Sequence, residues 1–420
     1  MKIETPKGVR DILPEEKIFR DGVVKTLIET FEEYGFLPLE TPVLEKYEIL
    51  SSKYAGGTEI LKETYKLKDQ GKRKLGLRYD LTVPLARFIA MNPSLKMPFK
   101  RYQIDRVFRD GPIKLGRYRE FWQCDSDIIG SKGILADAEC VEIQKIAFKK
   151  LKIPVEILVN NRKILDSLMR KAGIPEKEAG NAILSVDKLS KIGKTGVIKE
   201  LKEKGFNKKQ SEDILKLCGF EGTNKQKIDY LKKIIPKCEG VKEMEELLLL
   251  VKGITFDLRL ARGLSYYTGI ILETFAKKSN VSSSLGSGGR YDKMVGNFSG
   301  KDIPAVGCSF GLEPIMDYLK EKGRKSKRTK TKVFIIPIKT DKESFTLAKK
   351  LREEGINTDI DLNGKSITKN LNYANAYEIP YCIFLGKQEL KKEKYKLRNM
   401  ITGEEYTLNL KKLIKKINSS

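Results

Sequence analysis

The 420-residue chain contains no histidine. That absence excludes imidazole as a general base, as a nucleophile activator and as a metal ligand. Catalysis must run on arginine, carboxylates, amides, hydroxyls and groups that a substrate brings. The six cysteines, Cys124, Cys140, Cys218, Cys238, Cys308 and Cys382, form no C-x-x-C pair. No structural zinc site is expected, and the thiols read as those of a reducing, cytosolic compartment. No apolar run approaches membrane-spanning length, and the stretch from Leu247 to Val251 is far too short. The first residues, Met1 to Pro6, carry no apolar signal region. The expectation is a cytoplasmic protein with no membrane partner.

Acidic residues are outnumbered, 56 against 82 Lys and Arg, which leaves a formal net charge of +26. Such an excess favours a polyanionic partner, nucleic acid first. Lysine is spread over nearly every segment, so the charge marks no single surface. What is present is globular: 40% hydrophobic residues, with 17 Tyr and 17 Phe. The length calls for two or three domains.

Val24, Leu27, Ile28 and Phe31 recur at helical spacing, which predicts a first helix from about Pro14 to Tyr34, stopped by Gly35. Phe36 to Leu44 reads as extended. Leu151 to Val159 reads as a strand leading into Asn160-Asn161-Arg162. From about Lys163 to Leu250 the chain is Lys/Glu-rich with aliphatic residues at helical spacing, as in a helical insertion. Strand-like patterning returns at Ile254 to Leu260. The segment from Lys320 to Lys332 is basic and poor in apolar residues, and reads as an exposed, mobile linker. After it, Val333 to Ile338, Lys342 to Glu354, Asn357 to Asp361, Ser366 to Ala376 and Tyr381 to Leu385 alternate strand and helix. That alternation implies a parallel sheet.

Two segments carry the chemistry. Phe108 to Gln123 reads as strand, loop, strand, with Gly111, Pro112 and Gly116 in the loop and Arg109, Arg117 and Arg119 about it. Such a loop can close over a triphosphate. Leu260 to Gly269 holds Arg262 beside Gly263, then Tyr266 and Tyr267. Read as a strand, it would send the two tyrosines to opposite faces, one to the core and one to a ligand. Planar, bidentate arginines suit chemistry in which two anionic groups must be held together.

Together these segments resemble class II aminoacyl-tRNA synthetases, and within them the histidyl-tRNA synthetase family. The resemblance covers essentially the whole chain. It implies an α+β class II catalytic domain over 1–322, an antiparallel sheet flanked by helices, with the helical insertion at about 163–250. It implies a basic linker over 323–331 and an α/β anticodon-binding domain over 332–420. By resemblance, ATP with Mg2+ and L-histidine give histidyl adenylate, and the histidyl group passes to tRNA(His). A homodimer is implied. Arg109 would bridge the amino acid carboxylate and the α-phosphate, Arg117 would contact the ATP phosphates, and Arg262 would take the α-phosphate from the other side. Asp80 and Thr82, in Leu77 to Thr82, would hold the α-amino group with the help of Gln123. Asp127 and Tyr267 would hydrogen-bond the imidazole, with Tyr266 and Tyr291 in the same pocket. Arg290, in Gly288 to Asp292, would add an ATP contact. Two positions depart from the family. Ser265 stands where Asp is usual. Pro314 stands where an ATP-gripping Arg is usual, leaving Arg290, Lys293 and Lys114 as candidate replacements. Two other readings stay open: a synthetase-like regulatory subunit of ATP phosphoribosyltransferase, and a catalytically inactive tRNA-binding paralogue.

Overall fold

The computed structural model describes residues 2–52, 61–113, 116–261, 266–324 and 326–419. The chain divides into two compact units. The first comprises residues 1–10 and 23–324, the second 11–22 and 325–420.

The first helix, Pro14–Glu33, matches its predicted span. In its second half Val23, Leu27 and Phe31 are buried, one turn apart. The strands of the first unit are β1 (Leu37–Pro38), β2 (Leu44–Lys46), β3 (Lys66–Lys68), β4 (Lys74–Leu77), β5 (Phe99–Phe108), β6 (Glu120–Ile129), β7 (Val155–Asn161), β8 (Thr255–Phe256), β9 (Ile270–Ala276), β10 (Gly286–Arg290) and β11 (Ala305–Gly311). Eight of them form one sheet in the order β1-β5-β6-β11-β10-β9-β7-β8. The six central strands are antiparallel, as expected. The short edge strands β1 and β8 run parallel to their neighbours, so the sheet is mixed.

Aromatic packing fixes the helices to one face of this sheet. The Phe31 ring lies 5.5 Å from Tyr102 of β5 and 5.8 Å from Phe310 of β11. Phe148, from the helix Ile134–Lys150, lies 5.3 Å from Phe310 on the same side. Burying one such ring contributes roughly 2 kcal/mol. Strand alternation then turns Ser309 and Gly307 to the opposite face.

Between β7 and β8 the chain is helical: Arg162–Lys171, Glu176–Val186, Leu189–Glu203, Lys208–Cys218, Asn224–Ile234 and Glu239–Leu250. Asn207 and Thr223 close capping boxes at two of the starts. Of the strand expected over Ile254 to Leu260, only β8 forms.

The second unit holds β12 (Val333–Pro337), β13 (Thr358–Ile360), β14 (Tyr381–Leu385), β15 (Tyr395–Asn399) and β16 (Glu405–Leu408), in the order β13-β12-β14-β15-β16. The expected parallel sheet holds only for β13, β12 and β14. β15 and β16 are antiparallel, because the connections after β14 and β15 are too short for a parallel crossover. Alternation along β12 and β14 builds two cores. Val333, Ile335 and Ile383 meet Leu347, Leu351, Leu413 and Ile417 on one face. Phe334, Ile336 and Cys382 meet Ala374 on the other.

The basic segment before β12 is irregular, but its two described arginines are tied down. Arg324 donates to the Leu151 and Lys152 carbonyls at 2.7 and 2.9 Å. Arg328 donates to the Ala376 carbonyl at 2.9 Å and pairs with Glu378 at 3.2 Å. All six cysteines are buried and none is in a disulfide. No described helix is long and apolar enough to cross a membrane.

Candidate active site

A cavity of about 900 Å³ lies on the sheet face opposite Phe31 and Phe148. One end is acidic. Gln123, Asp125 and Asp127 alternate along β6 and all line it. Asp127 is buried and already has two partners. Its Oδ2 lies 2.7 Å from Nη2 of the fully buried Arg101 on β5, and Tyr291 donates its phenolic O–H to Oδ1. The neighbouring strand leaves room for this carboxylate because position 307 is glycine. A Cβ there would meet Asp127 Oδ1 at 1.9 Å. Asp125 accepts from Ser309, whose hydroxyl in turn receives Gln123 Nε2 at 3.4 Å. Asp125 Oδ1 and Gln123 Oε1 have no hydrogen-bond partner among the described residues. Burial pushes the Asp125 carboxyl up to about 7. Arg101 opposes that rise, and Asp127 and Asp80 add to it. Burial and then Asp127 hold the Tyr291 phenol well above its usual range.

Asp80 and Thr82 reach the same end by a local device. Asp80 Oδ1 accepts the backbone N–H groups of Thr82 and Val83 at 3.1 and 3.0 Å, starting the helix Thr82–Met91. These two bonds therefore hold both residues at the cavity wall.

The other end is cationic. Arg109 sits where β5 leaves the sheet. Its guanidinium lies 4.2 Å from the Tyr79 ring centre and 4.8 Å from that of Phe121, and Nε donates to the Tyr79 carbonyl at 3.2 Å. Arg117, across the hairpin, donates to both oxygens of Glu63 at 2.9 and 3.1 Å. Glu63 also accepts from the Tyr79 hydroxyl at 3.2 Å. Beside it on β6, the Trp122 N–H donates to Glu313 Oε2 at 3.1 Å. Pro314 forms part of the wall, as do Asp187 and Lys191 from the helical insertion.

The structure thus brings Asp80, Thr82, Arg109, Arg117, Gln123, Asp127, Tyr266, Tyr267 and Tyr291 together at one cavity. Arg262, Ser265 and Lys114 lie outside the described residues. Arg290 does not line the cavity. It is buried behind β10, where it donates to Asp137, Ser131, Gly133 and Asp292. Neighbours on a strand face opposite ways, so a Tyr291 turned to the cavity turns Arg290 from it. Lys293 is exposed and does not line the cavity either. The two tyrosines before β9 also depart from expectation. Their segment is a turn, and the strand begins only at Ile270. Both rings face the cavity, with centres 4.5 Å apart and hydroxyls 3.4 Å apart. Tyr267 fits because Gly289 adopts φ +153°, and a Cβ there would meet its ring at 2.8 Å.

Sequence reasoning missed Glu63, Arg101, Asp125 and Lys191. For Asp125 a signal existed: residues two apart from Gln123 and Asp127 on one strand share their face. For the other three none did, since their partners are distant in sequence.

The family model described as histidyl-tRNA synthetase matches residues 8–315, and that described as anticodon binding domain matches 332–420. A histidine–tRNA ligase of Bacillus cereus is 43% identical, with 98% of this chain and 99% of the relative covered. The crystal structure of a histidyl-tRNA synthetase from Nostoc sp. superposes with a TM-score of 0.88 at 30% identity, covering 100% of this chain and 99% of that one. A Bacillus halodurans structure titled as an ATP phosphoribosyltransferase regulatory subunit/histidyl-tRNA synthetase has a TM-score of 0.77 at 22% identity, covering 91% of this chain and 98% of that one, which shows shared fold alone. With a family match over most of its length and a relative this similar along the whole of both chains, the protein belongs to the histidyl-tRNA synthetase family.

Proposed function

We propose that the chain is a histidine–tRNA ligase, which activates L-histidine with ATP and passes the histidyl group to tRNA(His). One observation carries this reading in the structure: a single cavity is lined both by acceptors for a cationic amino acid and by arginines for phosphate. The carboxylate that must attack and the α-phosphoryl group that must receive it would meet between them. Arg109, braced by two aromatic faces and a carbonyl, would neutralise both anions as they approach. The bond forms from the histidine carboxylate oxygen to the α-phosphorus, and pyrophosphate leaves with the electron pair of the broken P–O bond. Arg117 would exchange Glu63 for ATP phosphate. Asp80, Thr82, Gln123, Asp127, Tyr266, Tyr267 and Tyr291 would surround the amino acid. Arg262 would complete the phosphate clamp. ATP would enter as its magnesium complex.

By the same reading, residues 1–322 form the catalytic domain with the insertion at about 163–250, 323–331 the linker, and 332–420 the anticodon-binding domain. A cytoplasmic homodimer fits the family. The regulatory-subunit and inactive-paralogue readings are not favoured, because the 43% identical relative is a ligase matched end to end. The test is ATP–pyrophosphate exchange with each amino acid in turn. Exchange dependent on histidine is expected, and Arg262→Ala should lower its kcat far more than its histidine affinity. No exchange with histidine in the unmodified protein would overturn the reading.

A further inference from the structure

The acidic end of the cavity holds three carboxylates, and their partners differ. Asp127 accepts from Tyr291 and its Oδ2 is ion-paired with Arg101 at 2.7 Å. Asp80 spends Oδ1 on the start of the helix Thr82–Met91. Asp125 accepts from Ser309 through its side chain, while Oδ1 is buried, lines the cavity wall and has no hydrogen-bond partner among the described residues. The residue is 4% exposed. A buried carboxylate oxygen without a donor is costly, and a structure keeps one where a ligand supplies the missing N–H. Register places it well for this. Asp125 faces Ser309 of β11 and Gln103 of β5, midway between Gln123 and Asp127 on its own strand.

We propose that Asp125 is a substrate-binding residue whose Oδ1 receives a cationic N–H of the bound amino acid, either its α-ammonium or its ring imidazolium. The proposal rests on the amino acid reading of this cavity and adds a residue to it. Charge agrees with the geometry. The charges that act most on Asp125 are one guanidinium, that of Arg101, and two carboxylates, those of Asp127 and Asp80, so a bound cation improves the balance there. Burial is what pushes the Asp125 carboxyl up to about 7, and an N–H cation on Oδ1 would offset that penalty on the ionised form.

The test is Asp125→Asn, which keeps the shape and the Ser309 contact and removes the charge. Calorimetry with L-histidine and exchange kinetics are measured on the full chain. Histidine affinity is expected to fall by about tenfold or more, the loss typical of a buried charge-assisted hydrogen bond, with the KM for ATP within about twofold of the parent. Two probes separate the sources. Imidazolepropionate lacks the ammonium; if its binding is indifferent to the substitution, the α-ammonium is the donor. Triazolylalanine lacks a basic ring; if its binding alone is indifferent, the ring is the donor. Asp125→Ser, smaller and also uncharged, must show the same selective loss. Unchanged histidine affinity in both variants would overturn the proposal, as would unfolding of both, which would make Asp125 a structural residue. Binding of histidine without exchange in the parent would overturn the ligase reading and leave this one standing.

Discussion

At the scale of single residues, the site is a set of carboxylates whose charge depends on their neighbours. Asp125, raised to about 7, faces Arg101, Asp127, Asp80 and Ser309. Below about pH 7 it is protonated and offers a cation little; above, it is ionised. Histidine affinity should therefore rise between pH 6 and pH 8. The free imidazole of histidine titrates in the same window, so triazolylalanine, whose ring does not, is the cleaner probe; the rise should persist with it if the α-ammonium is the donor to Asp125 and vanish if the ring is. A carboxyl raised on folding takes up a proton, so this group also makes the fold less stable as pH rises from about 4 to about 7. No protein imidazole can blur either curve, since the chain has none. Pyrophosphate exchange and thermal melts across that range check the two trends. The residue scale is also where sequence was least informative. Arg101 is central to the site, yet nothing near it in sequence announces its pairing with Asp127. Arg290 was misplaced for a related reason: its motif is at the site, but its side chain points the other way.

At the scale of elements, most of the fold was legible. The first helix, the β5–β6 hairpin, the helical insertion and β14 all follow from periodicity and turn residues, within a few positions. The failures have physical causes. Leu260 to Gly269 is apolar enough for a strand, but the turn at Tyr266 brings both tyrosines to the cavity. The last two strands escaped the α/β pattern because their connections are short. Gly307 shows how an element serves a site. It lies opposite Asp127 in the β6–β11 ladder, and only a missing side chain lets the carboxylate cross that strand. Gly307→Ala should displace Asp127 from Arg101 and Tyr291. Overpacking of this kind costs about 1–3 kcal/mol. A lower Tm is expected together with a larger loss of histidine than of ATP affinity, measured by melting and by exchange kinetics.

At the scale of the molecule, the two units divide the labour in the proposed reading. The first contains the whole cavity. The second matches the anticodon binding domain. A chain ending after Arg324 should keep histidine-dependent exchange and lose much of its tRNA charging, and the charging lost should be the salt-sensitive part. Charging that is unchanged by the truncation would remove that role from the second unit. Net charge belongs to this scale too. An excess of +26 spread over both units fits a long polyanion touching more than one surface.

The hairpin that carries Arg109 and Arg117 also carries the one tryptophan of the chain, Trp122. It sits between Phe121 and Gln123, both at the cavity wall, and its main chain is pinned to Glu313. The protein thus holds a single indole as a built-in optical reporter, on the face of β6 turned from the cavity. Filling the cavity reaches its emission through the strand's main chain, so titrating histidine and ATP against an unlabelled sample should give small emission changes that report movement of this hairpin.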